Sequence, residues 1–302
     1  MSTPTVPLTA DVHLPLVGFG TYLINDNDAP AVVAKALAAG YRHIDTAEGY
    51  ANEVGVGAAI RASGLPRSDI FVTTKLWPGN PAWGQTPKDR AGTIAALDAS
   101  LVRLGLDYVD LYLIHAPFQP DDRLAQWEGL VALQQQGKAR AIGVSNFRAA
   151  HIDALLAAGL PAPQANQIEL HPWSQKPELI EYLAAKHIQP IAYSSLVPLS
   201  TWRATPGQSS AKTAQMKADG ASDTSPFRRM AQTHGVTEAQ VLLRWAVQSG
   251  YPVLPKSTQS ERMQQNLDLF SFSLTEAEMR ELATLDRGGG VAWAVGDPTQ
   301  AP

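Results

Sequence analysis

Apolar residues in this chain follow two alternating rhythms. From Leu16 onward, short apolar runs alternate with longer segments in which apolar positions recur every three or four residues. Buried strands produce the first pattern and amphipathic helices the second, so the chain reads as repeated β-α units around a parallel sheet. Eight runs fit the strand pattern: 17–20, 42–45, 70–75, 109–115, 139–145, 165–167, 190–193 and 252–256. The helical segments between them are 29–39, 53–62, 88–104, 124–136, 149–158, 178–186 and 238–249, and 260–267 follows the last strand. Eight such units predict an α/β fold of the (β/α)8 TIM-barrel type, one domain over 1–302.

Five segments fall outside this alternation. Residues 6–9 and 12–15 flank Ala10-Asp11 and predict an N-terminal hairpin within 1–15, with Pro7 and Pro15 confining it to edge positions. After the seventh strand, 197–226 is long, polar and rich in Gly, Pro, Ser and Thr, which predicts a lid-like loop. Extra helices are expected over 227–234 and 275–285. The remainder, 286–302, opens on Gly288-Gly289-Gly290 and reads as a mobile tail.

The polar residues that interrupt the apolar runs sit at one end of them. Asp45 ends the second predicted strand, with Tyr50 just beyond. Lys75 ends the third, His115 the fourth, Ser145-Asn146 the fifth, Gln167 the sixth, Tyr193 the seventh and Lys256 the eighth. In a barrel these are the strand ends that collect around one mouth. Each alone has a bland reading, as a helix cap, a rim charge or a satisfied core histidine. Their shared register argues for a site. A tyrosine is a poor acid near neutrality, with an unperturbed pKa of about 10, but a neighbouring ammonium such as Lys75 favours its phenolate. Asp45 would hold that lysine, and a neutral His115 would donate a hydrogen bond to a carbonyl oxygen.

Composition narrows the partner. With 45% hydrophobic and 17% charged residues, net charge -4 and pI near 6.0, the chain has ample core material and no basic footprint for nucleic acid or an anionic membrane. It has 0 cysteines, which excludes disulfides, thiolate metal sites and cysteine nucleophiles. No His, Asp or Glu cluster has metal-site spacing. The start, Met1-Ser2-Thr3-Pro4, lacks a signal-type core, and no apolar run has membrane-spanning length, so a cytoplasmic monomer acting on a small molecule is expected.

Several spaced blocks resemble the aldo-keto reductase family, in its order, from Leu16 to about Leu285. They are Gly20-Thr21-Tyr22, Ile44-Asp45-Thr46-Ala47 with Tyr50, Asn52-Glu53, Thr74-Lys75-Leu76-Trp77 and Leu111-Tyr112-Leu113-Ile114-His115. Gly143-Val144-Ser145-Asn146-Phe147, Asn166-Gln167-Ile168-Glu169-Leu170-His171-Pro172, Ala192-Tyr193-Ser194 and Pro255-Lys256-Ser257 continue the match. The resemblance implies a carbonyl reductase with Asp45, Tyr50, Lys75 and His115 as catalytic tetrad and Tyr50 as general acid. It implies that Ser145, Asn146 and Gln167 bind the nicotinamide carboxamide and that Tyr193 stacks on the ring. Further cofactor contacts would come from Gly20, Thr21, Tyr22, Ser194, Leu196, Lys256, Ser257, Thr258, Arg262, Gln265 and Asn266. Arg262 and Asn266 share a helix face behind Lys256 and Ser257, Ser260 is placed to cap that helix, and a helix start flanked by cations suits a phosphate. NADP(H) is therefore the expected cofactor, with NAD(H) weaker.

Tyr22, Trp77, Trp83, Phe118, Trp202 and Trp293 are candidate walls of the substrate pocket. Three departures from the family pattern bear on the substrate: Ala116 follows His115 where a tryptophan is common, Val197 replaces a usual glycine at the start of the long 197–226 segment, and the tail after Leu285 is short. Tyr182 and Lys186 fit the Tyr-x-x-x-Lys pattern of another dehydrogenase class but read as helix surface. Gly55-Val56-Gly57 reads as close packing, and His171 as structural. The alternative reading is a nicotinamide-binding regulatory subunit of the same fold with little turnover; the intact tetrad argues against it.

Overall fold

Strand alternation sorts the residues of this protein into an outer and an inner core. In the computed structural model, which describes residues 3–118, 120–199, 212–293 and 296–301, β5 (Phe71–Leu76) buries all six of its side chains. Val72 and Leu76 join the large cluster between sheet and helices, whereas Phe71 belongs to a separate cluster with Leu111, Leu113, Ala141, Ala165 and Ile191. Successive side chains of a strand face opposite ways, so Lys75 falls on Phe71's inner side. The antiparallel hairpin of β1 (Thr5–Thr9) and β2 (Val12–Pro15) plugs the inner core from below, adding Val12 and Leu14.

Seven strands pair in parallel and in chain order: β3 (Phe19–Gly20), β4 (His43–Asp45), β5, β6 (Val109–Ile114), β7 (Ala139–Ser145), β8 (Ala165–Glu169) and β9 (Gln189–Tyr193). The helices α1 (Ala29–Ala39), α2 (Glu53–Ala62), α3 (Arg90–Leu104), α4 (Arg123–Gln135), α5 (Ala149–Ala157) and α6 (Pro177–Ala185) form the connections. After β9 come α7 (Ala214–Ala221), α8 (Pro226–His234), α9 (Glu238–Gln248), α10 (Ser260–Leu267) and α11 (Glu276–Ala283). The cylinder closes through 252–255: Ala192 N donates to Pro252 O (2.7 Å), Val253 N to Leu16 O (2.9 Å) and Gly18 N to Val253 O (2.8 Å). The expected eighth strand over 252–256 is thus reduced to paired bridges at Val253. Pro252 and Pro255 have no N–H to continue a ladder. Architecture is the (β/α)8 barrel that the periodicity predicts.

Local signals account for the element ends. Gly40 adopts φ 112° after α1, and Thr237 and Thr275 cap α9 and α11 through reciprocal bonds with Gln240 and Glu278. Gly57 lies where an added Cβ would overlap the Leu104 carbonyl of α3, so the glycines of α2 serve close packing. Tyr182 and Lys186 lie on or just after α6, with Tyr182 donating to Asp153 (2.7 Å) at the surface.

Three expectations need correction. The 197–226 segment contains α7, capped by Thr213; its helix was hidden because it buries no residue fully and shows no apolar stripe. Trp202 and 200–211 lie outside the described residues. Ser260 does not cap α10: Gln259 occupies that position without a side-chain bond, and Ser260 is the first helical residue. The tail is tied down in its described residues by bonds to Glu169, Lys176 and Tyr193. Among the described residues no helix is long and apolar enough to cross a membrane.

Candidate active site

Strand register brings Asp45, Lys75 and His115 to one rim. Asp45 ends β4 and pairs in register with Thr73 of β5, two residues short of Lys75. His115 follows β6, with its amide bonded to Leu76 O (3.0 Å). A 3-10 turn at Glu48–Tyr50 brings Tyr50 back over them. Lys75 Nζ donates to Asp45 Oδ1 (2.5 Å) and Thr46 O (2.9 Å), and more distantly to the Tyr50 hydroxyl (3.4 Å). Gln167 Nε2 donates to the second Asp45 oxygen (2.9 Å). The four predicted residues therefore meet.

Burial dominates the electrostatics of this cluster. It pulls Lys75 below its ordinary value, opposed by the Asp45 charge, and Lys75 is 0% exposed. Burial and then the Lys75 charge hold His115 well below the usual imidazole range, so it is neutral. Its Nδ1 is buried without a hydrogen-bond partner among the described residues, leaving Nε2 to meet the cleft that His115 lines. Tyr50 departs from the sequence expectation: burial, then the charge of Asp45, pushes its phenol well above the ordinary value. The lysine's charge is directed to Asp45, a much shorter contact than that to the phenol. A resting phenolate is not favoured.

Asp45, Tyr50, His115 and Gln167 form the floor of a cleft of about 870 Å³, with Lys75 buried beneath them. From Tyr50 and His115 it passes Ser145, Asn146, Gln167 and Tyr193 to Ser194, Leu196, Lys256 and Arg262, with Gly20 and Tyr22 on the near wall. Asn146 takes φ 64°, donates to His115 O (3.0 Å) and accepts from the Tyr193 hydroxyl (2.7 Å). Trp293 Nε1 donates to that same hydroxyl (3.0 Å), so the Tyr193 ring is fixed from two sides. Other predicted contacts lie off the cleft wall. Thr21 bonds Asp45 O (3.0 Å), Ser257 turns onto Gln259 O (3.3 Å) and Asn266 is buried beside Tyr41. Gln265 is half-buried and Thr258 exposed.

Aromatic rings wall the mouth. Trp77 stacks on Trp83 (5.8 Å, 12° between planes) and meets His115 edge-on (5.4 Å). Phe118 packs behind Trp83 (5.4 Å) and Trp293 (5.9 Å), and Tyr22 leans on Tyr50 (5.0 Å). Ala116 is buried and does not line the cleft, so the space next to His115 is set by these rings.

Comparison with known proteins agrees with this geometry. The model of the aldo/keto reductase family matches residues 16–287. The chain belongs to the aldo/keto reductase family. An aldo-keto reductase of Mycolicibacterium smegmatis is 43% identical over 94% of this chain and 92% of its own, and the methylglyoxal reductase DkgA of Salmonella typhimurium is 35% identical over 95% and 96%. Among solved structures, an aldo/keto reductase from Brucella melitensis superposes with TM-score 0.81 at 38% identity, covering 94% of this chain and 100% of its own. A Bombyx mori aldo-keto reductase in complex with NADP gives 0.81 at 34%, covering 95% and 94%. The protein is thus an NAD(P)H-dependent oxidoreductase of small carbonyl compounds.

One residue of this reductase escaped the sequence reading. Glu169 at the end of β8 is buried and accepts from Val291 N (2.8 Å), Ala292 N (3.0 Å) and His171 Nε2 (2.9 Å), so it anchors the tail that carries Trp293. His171 is structural, as expected. Ending the strand at Gln167 concealed Glu169, although the spacing Ala165, Gln167, Glu169 puts all three on one face. Gln in place of Glu169 would turn one donor toward two amides, a loss of about 1–3 kcal/mol of anchoring. The Glu169→Gln variant is expected to be cleaved faster within 286–302 by protease and to show a raised carbonyl KM. Unchanged proteolysis would remove Glu169 as the anchor.

Proposed function

We propose that this reductase converts an aldehyde or ketone to the alcohol with NADPH, Tyr50 acting as proton donor. What carries the reading is the contact of the Tyr50 hydroxyl with Lys75, itself held by Asp45, on a cleft floor shared with His115. The residues present fit a nicotinamide nucleotide. Gln167 Oε1 accepts no bond from the described residues, and a Cβ at Gly20 would approach Leu254 O to 2.7 Å, so only glycine keeps that wall low. Ser145, Asn146 and Gln167 would hold the carboxamide, with Tyr193 against the ring. Gly20, Thr21, Tyr22, Ser194 and Leu196 would flank the remainder.

When bound there, the nicotinamide supplies a hydride to the carbonyl carbon. His115, neutral, orients the carbonyl oxygen by a hydrogen bond and adds no charge of its own. Tyr50 then gives its proton to that oxygen. A phenol raised by burial keeps its proton at rest, yet an alkoxide is a far stronger base than a phenolate and takes it. Lys75 stabilises the phenolate that is left, so its contact strengthens as the reaction proceeds, which is the differential stabilisation catalysis requires.

Lys256 and Arg262 are exposed at the far end of the cleft, beside the start of α10, where they would meet the 2′-phosphate, with Ser257, Thr258, Gln265 and Asn266 supporting that end. The Arg262→Ala variant is expected to weaken NADPH by about 1.5–3 kcal/mol and NADH far less, read by fluorescence titration. Equal weakening of both would contradict the phosphate assignment. Val197 and Leu199, at the start of the segment expected to be a lid, wall the cleft.

A further inference from the structure

We propose that the substrate is a neutral, flat carbonyl compound, an aryl aldehyde or aryl ketone, rather than a polyhydroxylated or anionic one. This rests on the carbonyl-reductase reading and goes beyond it. The substrate half of the cleft, from Tyr50 and His115 outward, is walled among the described residues by Tyr22, Leu23, Trp77, Trp83 and Trp293. Trp77, stacked on Trp83 and edge-on to His115, brings aromatic rings of this wall next to the carbonyl site. Offset or edge-on packing against such faces rewards a planar ring more than a bulky or branched chain.

Polar recognition is sparse on the same wall. Gln85 is the side-chain amide there; its Oε1 is taken by Trp77 Nε1 (2.7 Å), which fixes the indole and leaves the amide NH2 as the group's donor. Among the described residues the cations that line the cleft are Lys256 and Arg262, at the barrel closure across from His115; Lys75 beneath the cleft is committed to Asp45, and Lys88 beside Trp77 to Glu48 and the Trp77 carbonyl. A carboxylate beside Tyr50 would be desolvated with no uncommitted cation among the described residues to meet it, and a string of hydroxyls would lose water for few partners there. The rim carries the same signature: Tyr22 (39% exposed), Leu23 (49%) and Trp83 (47%) leave large apolar surface at the mouth, a concentration that marks a binding surface.

The test measures NADPH oxidation by the full chain with benzaldehyde, 4-carboxybenzaldehyde, cyclohexanecarbaldehyde and glyceraldehyde. The inference requires kcat/KM for benzaldehyde at least tenfold above glyceraldehyde and above 4-carboxybenzaldehyde, and also above the apolar but non-planar cyclohexanecarbaldehyde. Glyceraldehyde or the carboxylate reduced as well as benzaldehyde would overturn it. So would equal rates for the two apolar rings. Trp83→Ala is expected to lower the benzaldehyde-to-glyceraldehyde ratio several-fold through KM, and a ratio unmoved by that change would also overturn it. Oxidation of NADPH with none of the four would instead sink the carbonyl-reductase reading itself, a result distinct from a reversed order.

Discussion

Tyr50→Phe is expected to lower carbonyl reduction by about 10²–10⁴-fold, the range for losing a positioned acid, while NADPH affinity changes by no more than a few-fold. Phenylalanine keeps the ring that packs on Tyr22 (5.0 Å) and His115 (5.5 Å). Lys75 retains its shorter bonds to Asp45 and Thr46, because its contact with Tyr50 is the longest of the three. Tyr50 is half-buried on the cleft wall, so losing its hydroxyl strands no buried partner and the variant is expected to fold as the parent does. Steady-state rates paired with a cofactor titration separate the outcomes. Loss of NADPH binding in proportion to the rate would assign Tyr50 to the cleft's architecture instead, and a rate within tenfold of the parent would assign the proton to another donor.

The tetrad was legible because it follows strand register. Asp45, Lys75 and His115 sit where their apolar runs end, and a parallel barrel gathers such ends at one rim, so order along the chain became proximity in space. Glu169 and the tail were missed for a related reason. Two residues more of strand would have aligned Glu169 with Gln167, but the bond to Val291 N spans 122 residues, and no local periodicity announces it. Closure at Val253 was placed correctly and its length misjudged, since the apolar run suggested a ladder that Pro252 and Pro255 cannot make. Tyr50's resting state was misjudged because residue type reveals a charge nearby and says nothing of desolvation. Desolvation on the cleft floor, ahead of the Asp45 charge, determined the direction. The first turn of α10 shows the limit of capping rules: Ser260 is a good cap in composition, yet the chain enters the helix one residue earlier.

Lys75→Met tests the same cluster through stability. Methionine nearly matches the lysine stem, so packing within the inner core is preserved while the ammonium disappears. Asp45, 3% exposed, is then left with Gln167 Nε2 as its remaining side-chain donor. Removing one partner of a buried ion pair costs about 3–5 kcal/mol, mostly because the other charge stays desolvated. The single variant is expected to unfold at markedly lower denaturant concentration and to reduce carbonyls at a small fraction of the parent rate, since the phenolate left by Tyr50 would lack its cation. Adding Asp45→Asn removes the stranded carboxylate, so the double variant should regain most of the lost stability and none of the activity. That separation is the point of the experiment. Stability that stays low in the double variant would mean the lysine packs the barrel rather than pairing with Asp45. Activity recovered with stability would mean that charge near Tyr50 is dispensable, and the proposed proton transfer would have to be abandoned.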